Sequence, residues 1–168
     1  MTDRRFEDFY TFEYPKLVVA LRFVTGDHEL AQDSVDEACA RALERLGRGD
    51  PIDVLGAWIR VVALNVARGR IRRLASERRA RARLVAQAAN PEVVDGSSAI
   101  DVRAALATLS RRQREVVVMH YFLDQTVDAI ASELAIPAGT VKAALHRARA
   151  VLAQSLQEVT PPHAREQT

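Results

Sequence analysis

The stretch from Gly139 to Leu152 holds the residues whose types and spacing point most directly to chemistry. Val141, Leu145, Ala148 and Leu152 recur at helical spacing and form an apolar stripe. Ala143, His146, Arg147 and Ala150 fall on the opposite side, flanked by Lys142 and Arg149. Small side chains let a backbone approach base edges, and cations neutralise phosphates. Upstream, Val127, Ile130, Ala131 and Leu134 mark a shorter amphipathic helix, and Ala135-Ile136-Pro137-Ala138 reads as a tight turn. Two short helices joined this way describe a helix-turn-helix, whose second helix enters the major groove by its N-terminal part. The expected duplex-contacting residues are Thr140, Lys142, Ala143, Ala144, His146, Arg147 and Arg149. Alanines can read only thymine methyls or shape. An ordinary helical hairpin has the same pattern, so the motif alone leaves both open.

A second constellation runs from Trp58 to Arg73. At about 100° per residue, Trp58, Val61, Asn65, Arg68 and Arg72 share a face, and Arg73 adjoins them in sequence. An aromatic ring, an amide and cations together suit unpaired nucleic acid, where bases stack and phosphates need charge. The other reading is a core tryptophan beside solvated arginines.

A third group, Asp33, Asp36 and Glu37, is acidic. Helical spacing points these carboxylates outward, which suits a protein-binding or solvated face better than acid–base work. His28, His120, His146 and His163 have no metal-ligand spacing. There is no glycine-rich phosphate loop and no nucleophile elbow. No enzyme activity, metal or cofactor is expected.

Those side chains need helices to position them. Alanine, leucine and arginine dominate the 168 residues, and glycine and proline are few. Gly26 ends a first helical segment whose apolar positions run from Phe6 to Val24, with Pro15 dividing or kinking it. Asp27 caps a helix to about Leu46. After Gly47-Arg48-Gly49-Asp50-Pro51, a long helix begins near Asp53 and turns abruptly basic, with eight arginines between Arg68 and Arg83 against Glu77 alone. That asymmetry suggests a polyanionic partner, although the net charge is only +2. Residues 86–98 have linker composition. Four further helices are expected near 99–109, 111–123, 126–134 and 138–156, with Ser110 and Thr126 as caps. Cys39 is the single cysteine and suits a buried thiol. No apolar run approaches the roughly 20 residues of a membrane helix, and the start, MTDRRFEDF, is too acidic for a signal peptide. A cytoplasmic, all-α protein is expected: two small helical bundles joined by a flexible linker. The divisions are 1–74, a basic linker over 75–98, 99–156, and a disordered tail over 157–168.

Taken together, the two halves resemble the extracytoplasmic-function group of sigma-70-type sigma factors. Gly26-Asp27 and Ala31-Gln32-Asp33-Ser34-Val35-Asp36-Glu37 are similar to the family's "GD…AEDLVQE". Trp58-Ile59, Val62-Ala63, Asn65 and Arg72 are similar to "WL..IA.N…D..R". Leu109-Ser110 with Arg114-Glu115-Val116-Val117, Ile130-Ala131 with Leu134, and Gly139-Thr140-Val141-Lys142 with Arg147-Ala148-Arg149 follow the family's region 4 order. The chain departs from the pattern at Ser34, Asp36, Gly69, Ser110, Ala129 and Ala143-Ala144. The resemblance implies a factor that binds RNA polymerase core, through the β′ clamp helices and the β flap, and starts transcription at promoters. It implies core binding by Asp33, Asp36 and Glu37, and −10 recognition by Trp58, Asn65, Arg68, Arg72 and Arg73. The helix-turn-helix would read the −35 element. An anti-sigma factor is a further implied partner. Two other readings are a degenerate sigma-like regulator that occupies a partner without initiating, and a plain helix-turn-helix regulator.

Overall fold

The computed structural model describes residues 4–84 and 99–159, and every element among them is helical. They separate into two compact units, one within residues 1–93 and one within 94–168.

The first unit opens with α1 (Arg4–Asp8) and α2 (Tyr14–Thr25), joined without a break by a π-helical turn over Phe9–Glu13. Pro15 explains the turn. It has no N–H and crowds the preceding carbonyls, so one extra residue is looped out just before it. The Tyr14 N–H bonds back to the Phe9 carbonyl across that turn. The proline therefore bulges the helix rather than splitting it. Gly26 ends α2 at φ 78°, a left-handed position where its missing Cβ avoids strain. Asp27 then caps α3 (His28–Gly47), accepting the Leu30 N–H at 3.0 Å.

Helix α4 (Leu55–Leu84) packs antiparallel along α3, and both meet α2. Its buried stripe is Leu55, Ile59, Ala63, Leu64 and Ala67. These close on Leu17 and Leu21 of α2 and Ala31, Val35, Ala38 and Ala42 of α3, all at most 2% exposed. The alanines let the helices approach closely. Arg5 ties the start of the chain to the loop before α4 by donating to the Ile52 carbonyl at 3.1 Å. Ser34 is fully buried, and its hydroxyl donates to the Leu30 carbonyl at 2.6 Å, so a polar group at an apolar position stays satisfied within its own helix. Cys39 is buried as expected, and burial, with the Asp36 charge nearby, pushes its thiol up to about 11.

The expected boundary at 74 needs correcting. Helix α4 carries on to Leu84, so the first ten positions assigned to a linker are helical. The long side chains of arginine are good helix formers, and no glycine or proline lies between Arg70 and Leu84. Residues 85–98 and 160–168, where the rest of the linker and most of the tail were expected, lie outside the described residues.

The second unit comprises α5 (Ala99–Ala107), α6 (Arg111–Val117) with a π-helical continuation over Val118–Phe122, α7 (Val127–Leu134) and α8 (Ala138–Val159). Ser110 and Gln113 form a reciprocal capping box at 2.9 and 3.3 Å. Thr126 caps α7 by accepting the Ala129 N–H at 3.1 Å. Leu106, Leu109, Val116, Met119, Ile130, Leu134, Val141 and Leu145 make the core.

Candidate nucleic-acid and polymerase interfaces

Helix α8 is held by its inward stripe. Val141 and Ala148 are fully buried and Leu145 is 3% exposed. The turn before it places Ala135 in a left-handed conformation, φ 52°, and the Pro137 carbonyl accepts the Thr140 N–H at 2.9 Å. Thr140, Lys142, His146, Arg147 and Arg149 are exposed on the other side, and Ala143 is half-buried. Ala144 does not join them. It is buried, because it lies three residues after Val141 and four before Ala148 and so belongs to the inward stripe. Ala144 therefore faces the core of the unit and not a base edge, contrary to expectation.

Arg149 has a partner that the sequence did not announce. Its Nε donates to the Tyr121 hydroxyl at 2.6 Å, and its guanidinium carbon lies 5.7 Å from the centre of that ring. Tyr121 is exposed at the end of the π-helical turn, and His120 meets it edge-on at 4.8 Å. The His120 Nδ1–H donates to the Gln125 carbonyl at 2.9 Å. Ring and hydroxyl together hold a long side chain in place at the edge of α8.

In the first unit, Trp58 is neither fully buried nor free. It is half-buried, and the Arg45 guanidinium of α3 sits 5.8 Å over its ring. Asn65 and Arg72 are exposed, and Arg68 donates to the Asn65 side-chain oxygen Oδ1 at 3.2 Å. These four residues occupy the side of α4 away from Ile59 and Ala63. Arg73 is turned about 90° from their common direction. It faces α3 and lies 3.9 Å from Glu77. It lines a cleft of about 440 Å³ between the two helices with Glu37, Arg41, Asn65, Gly69 and Arg70.

The three expected core-binding carboxylates all have partners. Asp33 pairs with Arg70 of α4 at 3.3 Å, and Glu37 pairs with Arg41 at 2.9 Å. Asp36 accepts the Tyr14 hydroxyl at 2.5 Å. Burial, then the hydrogen bond to Asp36 and its charge, hold the Tyr14 phenol well above its ordinary range. Exposed pairs of this kind contribute little to stability, so Asp33 and Glu37 remain able to exchange partners. Among the described residues no cluster of histidine, cysteine and carboxylates could hold a metal ion. No helix among them is long and apolar enough to cross a membrane.

Gly69 sits in the middle of α4, and a Cβ built there meets nothing within 4 Å. Glycine in a helix interior costs about 0.5–1 kcal/mol relative to alanine. Gly69→Ala is therefore expected to stabilise the first unit by about that amount in urea unfolding. A loss of stability would contradict this placement.

Two family models match the chain. The sigma-70 region 2 model matches residues 9–77, and the sigma-70 region 4 model matches residues 99–152. The extracytoplasmic-function (ECF) RNA polymerase sigma factor SigL of Mycobacterium tuberculosis is 36% identical over 152 residues, covering 83% of this chain and 81% of that protein. The chain belongs to the sigma-70 family, in its extracytoplasmic-function group. Membership makes it a polymerase-binding factor for promoter-directed initiation. Among solved structures, the sigma factor RpoE of Bartonella quintana, in complex with the anti-sigma factor NepR, has the same fold. Its TM-score is 0.67 at 22% identity, over 94% of this chain and 100% of that one. Sigma region 2 thus falls in the first unit, with α3 and α4, and region 4 in the second, with the helix-turn-helix.

Proposed function

We propose a residue-level division of labour for this sigma factor. The first unit holds RNA polymerase core through the α3 surface around Asp33, Asp36 and Glu37. Its α4 face, with Trp58, Asn65, Arg68 and Arg72, engages unpaired bases and phosphates of the −10 element. Unstacking those bases costs a few kcal/mol and is offset where they find protein contacts. The second unit lays α8 in the −35 major groove. Thr140 and Ala143 approach base edges there, Lys142, Arg147 and Arg149 take phosphates, and His146 lies between them. The observation that carries this reading is the outward basic face of α8 in a chain whose two units match sigma regions 2 and 4. The reading places the protein in the cytoplasm, where its polymerase works.

The departures at Ser34, Asp36 and Gly69 would favour a non-initiating regulator if they disturbed α3 or α4. Ser34 is satisfied inside the helix and Asp36 is bonded to Tyr14, which supports the initiating reading instead. A plain helix-turn-helix regulator leaves the region 2 match unused. The experiment is co-elution. The full chain is expected to travel with purified core polymerase, and the combined complex should retain a fork-junction promoter DNA more tightly than either component alone. DNA binding with no affinity for core would overturn the reading.

A further inference from the structure

The cleft between α3 and α4 gathers positive charge. Arg41 of α3 and Arg70 and Arg73 of α4 line it, against one carboxylate, Glu37. At about 100° per residue, Asn65, Gly69, Arg73 and Arg70 span an arc of about 140° on α4, so one wall presents them together. Gly69 stands within that wall, and a Cβ built there meets nothing within 4 Å. The sigma-family pattern has an aspartate at this place, three residues before Arg72. Here the carboxylate is gone and its space is open. The arginines of α4 are loosely held. Arg70 lies 3.3 Å from Asp33 and Arg73 lies 3.9 Å from Glu77. A tight bond between charged groups measures about 2.7–2.9 Å. Arg41 and Glu37 meet at 2.9 Å, but both side chains are about half exposed. The Asn65 Oδ1 accepts from Arg68, which leaves the Asn65 Nδ2 to donate elsewhere.

We infer that this cleft binds a diphosphate group, free or carried by a nucleoside. A guanidinium fork matches phosphate oxygens two at a time. Three forks and an amide on facing helices suit a compact anion of several charges. The cleft volume of about 440 Å³ falls in the range of roughly 300–1,000 Å³ found for small-molecule sites. Val66 adds an apolar patch to the α4 wall, against which a nucleoside can lie. Binding draws Arg70 and Arg73 off Asp33 and Glu77. Those carboxylates are at least half exposed, so they return to water at little cost. The site faces α3, away from the side of α4 given to the −10 element. It shares Asn65 with that side and Glu37 with the core-binding surface.

The test is calorimetric titration of the full chain, without polymerase or DNA, with inorganic pyrophosphate and with guanosine diphosphate. Saturable binding of one equivalent is expected for at least one of them. Equal affinities, or pyrophosphate the tighter, identify the free anion, and a tighter nucleotide identifies the nucleoside form. Gly69→Asp restores a carboxylate beside the arginines and should weaken binding about tenfold or more. Arg41→Gln removes one fork and should weaken it about tenfold. Glu37→Gln removes the opposing charge and should tighten binding, a gain that damage to the fold would not give. Arg81→Gln, exposed further along α4, should change nothing. The inference is overturned if neither diphosphate saturates the chain, if Gly69→Asp and Arg41→Gln bind as the native chain does, or if Arg81→Gln weakens binding as much as they do. Because polymerase and promoter are absent, any of these results leaves the initiation reading standing, and a failure of initiation leaves this one standing.

Discussion

Arg114→Ala is expected to destabilise the second unit by about 3 kcal/mol while leaving the first unit unchanged. Arg114 is a motif residue on α6, yet its side chain turns into the unit. Its Nε donates to the Leu106 carbonyl at 2.8 Å, and one terminal nitrogen donates to the carbonyls of Ala107 and Leu109, each at 3.2 Å. Those carbonyls stand at the end of α5 and in the turn after it, where intrahelical donors run out; Leu106 also accepts the Leu109 N–H at 3.2 Å. Burial lowers the guanidinium pKa from its usual value, but the group stays charged. Each bond from a charged donor contributes roughly 1.5–3 kcal/mol, and bonds sharing one side chain do not add fully. Lysine keeps the charge but lacks the fork, so Arg114→Lys should recover less than half of the loss.

The measurement has a built-in division. Trp58 is the only tryptophan, and it lies in the first unit. Tryptophan fluorescence follows that unit, and circular dichroism follows both. For a small unit, 3 kcal/mol corresponds to a drop of about 12–24 °C in Tm. The expected result is a helical transition that moves down while the fluorescence transition stays. A Tm shift of under about 3 °C, or a shift of the fluorescence transition, would contradict the capping role.

Replacing Lys142 and Arg147 together by alanine is expected to weaken binding to −35 duplex about 60-fold at 0.1 M salt. Both side chains are exposed on α8, on either side of the outward face that includes Ala143 and His146. Neither helps to hold the helix, which depends on Val141, Leu145 and Ala148. A cation on a phosphate displaces condensed counterions, worth about 0.9 in the salt slope. At 0.1 M that is about eightfold per contact, and two contacts multiply. Titration of promoter duplex at several salt concentrations checks both the loss and a slope shallower by about 1.8. Unchanged slope and affinity would rule out the docking of α8 described above. Core binding should be unaffected, since it is assigned to the other unit.

Much of this fold could be read from residue spacing. Gly26 and Asp27 announce a helix stop and start, and Ser110 and Thr126 announce two more starts, because caps are local chemistry. The inward stripe of α8 follows from its three-and-four spacing. That same spacing should have excluded Ala144, which looked like a groove residue only because of its size. Arg73 adjoins Arg72 in sequence, but one residue turns a helix by about 100°, so adjacency does not put them on one face. The division at 74 falls inside α4, because a charge run resembles a linker in composition whereas arginine is a good helix former. Tyr121 holding Arg149, and Arg114 capping α5, are tertiary events between residues that no local pattern pairs. Glu115 is different, because its pairing is local while its burial is not. It is 1% exposed, with Arg112 at 3.5 Å and Arg111 at 3.9 Å on its own helix.

The most direct measurement is transcription itself. Core polymerase with and without the full chain would be run on sheared genomic DNA, and the 5′ ends of the products mapped. The account predicts chain-dependent transcripts with sharp start sites, preceded by two short shared elements at a constant spacing, and their loss with Lys142→Ala/Arg147→Ala. No chain-dependent start sites, despite stable association with core, would contradict it.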